Sequence, residues 1–384
     1  MTIIIFIILL STSKDILLRL KEAGSPLKIT GMKSPFAERL KLARSRAGLS
    51  QDQLVNALEK RVSKNAISKY EKGLMMPDSE VLIALSKALG VKTDFFFRKN
   101  PVDIPEVKFR KTTKLKTSDI KQIKALSTEH LERYLEIENL LMLQKNFQNP
   151  LADHPCRSAN DARQLAVELR NAWSLGLNPI PNVVEMLEHR EVKIQEFQAS
   201  ESFDGLSTWV GEIPLIVLNA SYDVLRKRFT ALHELGHLVL NINRDKTKPK
   251  EEESYCNAFA NEMLLPSQKL IEKVGEHRQN ISLNELIDLK EYYGISLAAI
   301  MYKVQEMGIL PETRARAFWQ HRRQNRDLML ESDPLYGEYK GSEASDRFMQ
   351  LIYRAAAEEI ISLSKAASLA NIKLAEFREH YLAL

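Results

Sequence analysis

Residues 226–241 read RKRFTALHELGHLVLN, and within them His233, Glu234 and His237 form the pattern H-E-x-x-H. Because residues four apart lie on one face of a helix, the two imidazoles can point at a single cation. Glu234 lies beside them, where a carboxylate can act as a general base toward water. The pattern alone also fits an amphipathic helix with two incidental histidines, so the choice depends on whether a third ligand exists.

Residues 251–266, EEESYCNAFANEMLLP, offer the third protein ligand that a catalytic zinc requires. On a helix, Glu253 shares a face with the apolar positions, so its carboxylate is predicted to point where the helix is buried, whereas Glu251 and Glu252 are predicted to point elsewhere. A buried carboxylate is costly unless it is paired or binds a metal, which favours Glu253 as the ligand. Cys256 is an alternative, softer ligand, although a small core residue is the simpler interpretation.

Together the two stretches resemble the ImmA/IrrE family of zinc metallopeptidases. The resemblance covers roughly residues 155–310 and extends to LRNAWSLGLNPIPNVVEMLEHREVKIQEF (169–197) and FDGLSTWVGEIPLIVLN (203–219). It implies a gluzincin site, in which three protein ligands hold zinc and one glutamate acts as the base. The implied activity is cleavage of a protein such as a repressor. The implied ligands are His233, His237 and Glu253, and the implied base is Glu234. The family usually has Ala where Cys256 stands, a change that leaves the ligands intact but would make the site sensitive to oxidation.

A second pattern lies nearer the N-terminus, where residues 34–98 predict short helices separated by tight turns. Between residues 28 and 76 there are eleven Lys or Arg against four Asp or Glu, a surplus of the kind that neutralises phosphates. One short helix carries small polar and basic side chains suited to reading base edges: Ser63, Lys64, Asn65, Ser68 and Lys69. From charge alone, a helical domain with a merely solvated basic face is an equal alternative.

The amino-acid sequence of this region favours the DNA-binding alternative. LKLARSRAGLSQDQLVNAL (40–58) and VSKNAISKYEKGLMMPDSEVLIALSKALGV (62–91) resemble the Cro-type, or XRE, helix-turn-helix family over residues 36–98. The resemblance implies binding to double-stranded DNA, with a phosphate contact from Gln51 and base contacts from Ser63, Lys64, Asn65 and Ser68. The turn at 59–61 is longer than the family's Gly-centred turn, which makes the register of the recognition helix less secure.

The predicted fold class is multidomain: an all-α helix-turn-helix domain, an α+β gluzincin-like domain and a helical C-terminal region. The predicted boundaries are 32–99 for the DNA-binding domain, 100–153 for a linker and spacer helix, 154–310 for the metallopeptidase and 311–384 for the C-terminal region. In the α+β domain, the strand at 213–218 is a candidate edge strand for pairing with an extended substrate. We expect 311–384 to be a helical cap or dimerisation element, with added DNA or partner contacts as the alternative.

Composition limits the remaining possibilities. The net charge of +5 over 384 residues is modest, so a DNA-binding surface must come from local clustering of basic residues. Two cysteines are too few for a disulfide framework, so a cytoplasmic protein is expected. The apolar run at 3–10 is much shorter than the roughly 20 residues that span a bilayer, so no membrane partner is expected. Residues 1–31 are predicted to be an extension, and a misassigned start is favoured over a buried strand or a peptide tail.

These patterns lead to one preferred function and two others. The preferred function is a transcriptional regulator, expected to be a homodimer on a palindromic operator, whose zinc peptidase cleaves a protein. The second is a DNA-binding repressor whose zinc fold is a sensor or structural module without proteolysis. The third is an antitoxin-like partner of a toxin. An intact H-E-x-x-H favours the first, since a structural zinc does not need Glu234.

Overall fold

The computed structural model describes residues 35–97, 117–199, 203–331 and 334–381. The predicted extension at 1–31 and most of the predicted linker before residue 117 lie outside the described residues. The described chain divides into two compact units, one formed by 35–42 and 51–97, the other by 43–50 and 117–381. Each unit is therefore taken separately below.

The first unit is helical, as predicted. Its elements are α1 (Pro35–Arg46, whose last turn belongs to the second unit), α2 (Gln51–Ala57), α3 (Lys64–Glu71), α4 (Ser79–Leu89) and a 3-10 helix (Thr93–Phe97). Ser63 caps α3 by accepting a hydrogen bond from the amide of Ala66, and Asp78 caps α4 in the same way. Ile67 and Tyr70 of α3 are buried together with Leu54 of α2. Local capping and this shared core fix α3 against α2.

The long turn between α2 and α3 has an unusual backbone. Glu59 and Lys60 both have positive φ, at 54° and 60°, in the left-handed region that glycine adopts most easily. The family's glycine is thus replaced by two residues that take up the left-handed conformation at a cost in backbone strain. This turn accounts for the extra length seen in the sequence, and α3 still begins directly after Ser63.

The second unit contains a parallel two-stranded sheet, formed by its first and last strands, and a mixed three-stranded sheet, with helices around them. Its strands are β1 (Pro155–Cys156), β2 (Lys193–Phe197), β3 (Gly205–Val210), β4 (Ile213–Asn219) and β5 (Asn241–Ile242). Its helices are α5 (Thr117–Leu140), α6 (Ala159–Ala172), α7 (Val183–His189), α8 (Val224–Val239), α9 (Pro249–Leu264), α10 (Ser267–Val274), α11 (Leu283–Tyr293), α12 (Leu297–Glu306), α13 (Glu312–Gln324), α14 (Arg326–Leu330), α15 (Arg347–Ala357), α16 (Leu363–Ala370) and α17 (Leu374–His380). A 3-10 turn covers Pro334–Tyr336. The predicted α+β class is confirmed.

The three-stranded sheet has the order β2-β4-β3, with β4 parallel to β2 and antiparallel to β3. The prediction that 213–218 is an edge strand was therefore wrong, because β4 is the central strand. Six of its seven residues, from Pro214 to Asn219, are buried. An unbroken apolar run indicates a strand buried on both faces, whereas a half-exposed edge strand alternates. The edge next to α8 belongs to β3 instead.

The two faces of this sheet are covered by different helices. Ile216 and Leu218 share a core with Ala231 and Leu235 of α8. On the other face, Leu206, Leu215 and Val217 pack with Ile123 and Leu131 of α5. The predicted spacer helix is α5, which begins at Thr117, and its early apolar residues such as Ile123 also face the sheet. It ends at Leu140, just before Met142 adopts a positive φ.

The start of α7 depends on a distant part of the chain. The helix begins at Val183, with Asn182 as its N-cap. The carboxylate of Glu343 accepts hydrogen bonds from the amides of Val183 and Val184, and it forms a fully buried ion pair with Arg228 of α8. A segment far along the chain thus determines where this helix begins and binds the helix that carries H-E-x-x-H.

The C-terminal helices pack on α5. Tyr134 and Ile137 of α5 form a cluster with Ile352 of α15 and Phe377 of α17, and the Phe348 ring stacks on Tyr134 with 5.2 Å between centroids. Between α15 and α17, Ser362 caps the start of α16 by accepting a hydrogen bond from the amide of Lys365. Among the described residues, no helix is both long enough and apolar enough to cross a membrane.

Candidate metal centre and DNA-reading helix

The two histidines of H-E-x-x-H lie on one face of α8, as the spacing predicts. Asp223 caps the helix through the amide of Arg226, and the helix continues without interruption to Val239. The rings of His233 and His237 are perpendicular, with 4.7 Å between centroids, and their Nε2 atoms are 3.1 Å apart. Both side chains are mostly buried, at 14% and 7% exposure, so the two Nε2 atoms lie in one small region near the surface.

Helix α9 brings Glu253 to the same place. Its Oε2 lies 3.1 Å from Nε2 of His233, and its Oε1 lies 3.7 Å from Nε2 of His237. Donor atoms about 2.0 Å from a tetrahedral zinc are separated by roughly 3.3 Å. The three donors are thus as close together as ligands of one zinc ion would be, and no other group of three such side chains emerges from the described residues.

Close packing of α8 on α9 makes this convergence possible. A Cβ atom built on Gly236 would lie 3.3 Å from the Phe259 ring and 3.4 Å from Cys256. The glycine therefore allows α9 to approach the face of α8 that carries the histidines. Glu253 itself is half-buried, at 27% exposure, which leaves the centre open to solvent on one side.

The other ring nitrogens of the two histidines have partners of their own. His233 Nδ1 lies 2.8 Å from Oδ1 of Asn257, and His237 Nδ1 lies 2.8 Å from Sγ of Cys256. Such contacts fix ring orientation and leave Nε2 directed at the centre. Because the Cys256 sulfur lies beside Nδ1, on the opposite side of the ring from Nε2, the geometry disfavours Cys256 as a ligand.

One prediction on α9 was wrong. Glu252 was expected to point away, yet it is buried, and its Oε1 lies 3.7 Å from Nδ1 of His237. The same oxygen accepts a 3.1 Å hydrogen bond from Nε of Arg244, whose guanidinium also donates to the carbonyl of His237. Arg244, which follows α8 in the chain, compensates the buried charge of Glu252. Helical periodicity within α9 could not reveal this partner, because it comes from another part of the chain.

Glu234 lies next to the three donors and is 9% exposed. Its Oε2 accepts a 2.5 Å hydrogen bond from the hydroxyl of Ser207 on β3. Ser207 was not predicted from the sequence, although a polar residue between the buried Leu206 and Val210 of a strand was an available signal. The Ser207 hydroxyl therefore orients the carboxylate of Glu234, the predicted base.

The charges around His233 also favour a cation. Burial alone would lower the pKa of its imidazole. The hydrogen bond to Glu253, together with the charges of Glu253 and Glu234, outweighs burial and raises the pKa above its ordinary value. The centre is therefore rich in negative charge, as a site for a divalent cation should be.

In the first unit, the predicted DNA-contacting residues lie on or next to α3. Ser63 uses its hydroxyl to cap the helix, and Lys64 forms a 2.7 Å ion pair with Asp52. Asn65 and Lys69 are exposed, whereas Ser68 is half-buried. Gln51 lies at the start of α2, where its amide nitrogen donates to Glu71 at 2.8 Å. Ser63 and Lys64 are exposed as well, so four of the five predicted residues on or next to α3 are accessible.

Two parts of the chain match known families. Residues 187–305 match the M78 peptidase family described as "IrrE N-terminal-like domain", and residues 40–96 match the family described as "Helix-turn-helix". The chain joins an XRE-type helix-turn-helix to an ImmA/IrrE-like domain. The M78 family is typically metal-dependent. The matched ranges include α3, α8 and α9, so both candidate sites lie within the matched parts of the chain.

A curated relative supports the DNA-binding half. It is the "SPbeta prophage-derived uncharacterized HTH-type transcriptional regulator YonR" of Bacillus subtilis (strain 168), which is 40% identical over 63 residues. Those residues make up 16% of this chain and 56% of the relative, so the match spans little more than half of the relative's length. The likeness extends to the helix-turn-helix and identifies a DNA-binding regulator domain.

Proposed function

We propose that this regulator is also a zinc-dependent peptidase that cleaves a protein, such as a repressor. The observation that carries the proposal is the convergence of His233 Nε2, His237 Nε2 and the Glu253 carboxylate, with Glu234 beside them. A purely structural zinc site uses four protein ligands, whereas catalysis needs three ligands and an open position. Three ligands and an adjacent carboxylate therefore favour catalysis over a structural role.

In this mechanism the three donors hold the ion and Glu234 moves protons. Zinc bound there would polarise the carbonyl of the scissile peptide bond and make water more acidic. Glu234 takes a proton from the attacking water and passes it to the leaving amine. Ser207 holds the Glu234 carboxylate in one orientation by donating to Oε2. Asn257 and Cys256 keep the imidazoles turned so that Nε2 faces the ion.

Strand β3 is the substrate-binding edge in this proposal. Among the described residues β3 pairs with β4 alone, so its other edge has backbone groups available for an added strand. Ser207 links β3 to the base, so a peptide extended along β3 would lie across the metal centre. This replaces β4, the central strand, as the partner of the substrate.

A comparison in cells separates an enzyme from a sensor. We expect cells that carry the wild-type chain to contain new protein N-termini that are absent from cells carrying Glu234→Gln, as mapped by mass spectrometry of labelled N-termini. Both proteins should be present at equal levels and contain equal zinc. Identical sets of N-termini, with zinc in both proteins, would support the sensor function instead.

For the DNA-binding half, we propose that the first unit reads double-stranded DNA through α3 as a homodimer on a palindromic site. Asn65→Ala should weaken binding to a preferred site, selected from random duplexes, by about 1–3 kcal/mol, because Asn commonly pairs with both hydrogen-bonding groups of an adenine edge. Binding to unrelated duplexes should change little. Lys87→Ala, on α4, is the control for an exposed side chain. An equal loss on both kinds of duplex would contradict base reading by Asn65.

A further inference from the structure

Trp209 of β3 and Phe147, which precedes β1, form an aromatic pair that the mechanism above does not use. Their ring centroids are 5.8 Å apart and their planes are inclined by 64°, an edge-to-face arrangement. Both side chains are half-buried, and both pack on the rim of the main hydrophobic core. The pair therefore presents aromatic surface to solvent.

The register of β3 along α8 places this pair beside the metal centre. A Cβ atom on Gly205 would lie 2.8 Å from Thr230, and Ser207 bonds to Glu234, one helical turn further along α8. Two residues of a strand advance about 6.6 Å and four residues of a helix about 6 Å, so strand and helix remain in step. Trp209, two residues beyond Ser207 on the same face, therefore lies near the helical turn that contains His237.

Phe147 is tied to the same end of α8. Asn149 donates a 3.0 Å hydrogen bond from Nδ2 to the carbonyl of Val239, the last residue of that helix. On the other side, Asn146 donates to Glu212 in the β3–β4 turn, at 3.5 Å. The segment that carries Phe147 thus bridges the end of α8 and the end of β3.

We propose that Trp209 and Phe147 form a subsite that receives an apolar or aromatic side chain of the polypeptide substrate. The inference rests on the proposed function, because it assigns one specificity pocket to that same site. A peptide extended along β3 alternates its side chains between two faces, and those on the face of Ser207 and Trp209 point toward α8. A side chain two residues away from the one opposite Ser207 would then contact the Trp209 ring. Apolar surface buried there would favour Leu or Phe over a polar residue of similar size.

Binding can be tested without cleavage. The protein is the full chain with Glu234→Gln, loaded with zinc, and the probes are capped nonapeptides of Gly and Ser that carry one Phe, moved one position at a time. We expect one or two positions of the Phe to tighten binding by roughly tenfold or more over the peptide with Asn at that position. Adding Trp209→Ala, or Phe147→Ala, should abolish this preference. Trp209→Phe should keep most of the preference for Phe, which would show that a protein with this residue replaced still folds.

Trp319→Ala provides the matched control, because this tryptophan lies on α13, outside β3 and α8. It should leave the preference unchanged. The proposal is overturned if no position of Phe improves binding, or if Trp209→Ala leaves the preference intact. Failure of the proposed function looks different: the wild-type chain would bind the preferred peptide through Trp209 but leave it uncleaved.

Discussion

Replacing Glu234 by Gln is expected to reduce peptide cleavage by at least about 10²- to 10⁴-fold, the usual contribution of a general base. Gln has the same shape as Glu, and its carbonyl oxygen can still accept the hydrogen bond from Ser207. The amide cannot take a proton from water, however. The purified zinc-loaded variant should therefore keep its metal and its fold while turnover is lost.

The measurement is the initial rate of cleavage of a mixed peptide library, with zinc content determined on the same sample. Glu251→Gln is the matched control, because it makes the same change at an exposed carboxylate of α9 that caps the helix. We expect wild-type rates from this control. Undiminished cleavage by Glu234→Gln would remove Glu234 as the base.

The second large effect is expected for Glu253→Ala. Removing this carboxylate leaves two imidazoles, whereas zinc sites use at least three protein ligands. Affinity for zinc should fall by more than about 100-fold, since even an outer residue that orients a ligand typically accounts for about 10- to 100-fold. Competition with a fluorescent zinc chelator measures the change directly.

Glu251→Ala on the same helix is the control for this experiment, and Glu252→Ala gives a further comparison. Glu252 contacts His237 through Nδ1, away from the metal-facing nitrogen, and it pairs with Arg244. We therefore expect Glu252→Ala to weaken zinc binding less than Glu253→Ala does. If Glu252→Ala had the larger effect, the third ligand would have to be reassigned.

Local sequence patterns were sufficient for much of the account. The spacing of His233 and His237 and the apolar periodicity of α8 each depend on neighbours within one or two helical turns. These features were predicted because short-range geometry alone determines them.

Features that depend on distant contacts were missed or misjudged. Ser207 meets Glu234 only because β3 crosses the face of α8, and the charge of Glu252 is compensated by Arg244 from another element. The buried pair of Arg228 and Glu343 joins residues that are 115 positions apart. None of these contacts has a periodic signature in the sequence, so only the folded chain reveals them.

The error about β4 has a different cause. Its apolar run was visible in the sequence, but the order of strands depends on how β2 and β3 pair across it. Strand order is a tertiary property that hydrophobicity alone does not determine. The correction matters for function, because it moves the proposed substrate edge to the strand that carries Ser207.

The central claim is that His233, His237 and Glu253 hold one catalytic zinc ion. X-ray diffraction from crystals of the purified full chain, measured on both sides of the zinc absorption edge, tests it most directly. We predict one strong anomalous peak per chain, bounded by Nε2 of His233, Nε2 of His237 and the Glu253 carboxylate. Zinc bound elsewhere, or zinc-loaded crystals with no peak between these three side chains, would contradict the claim.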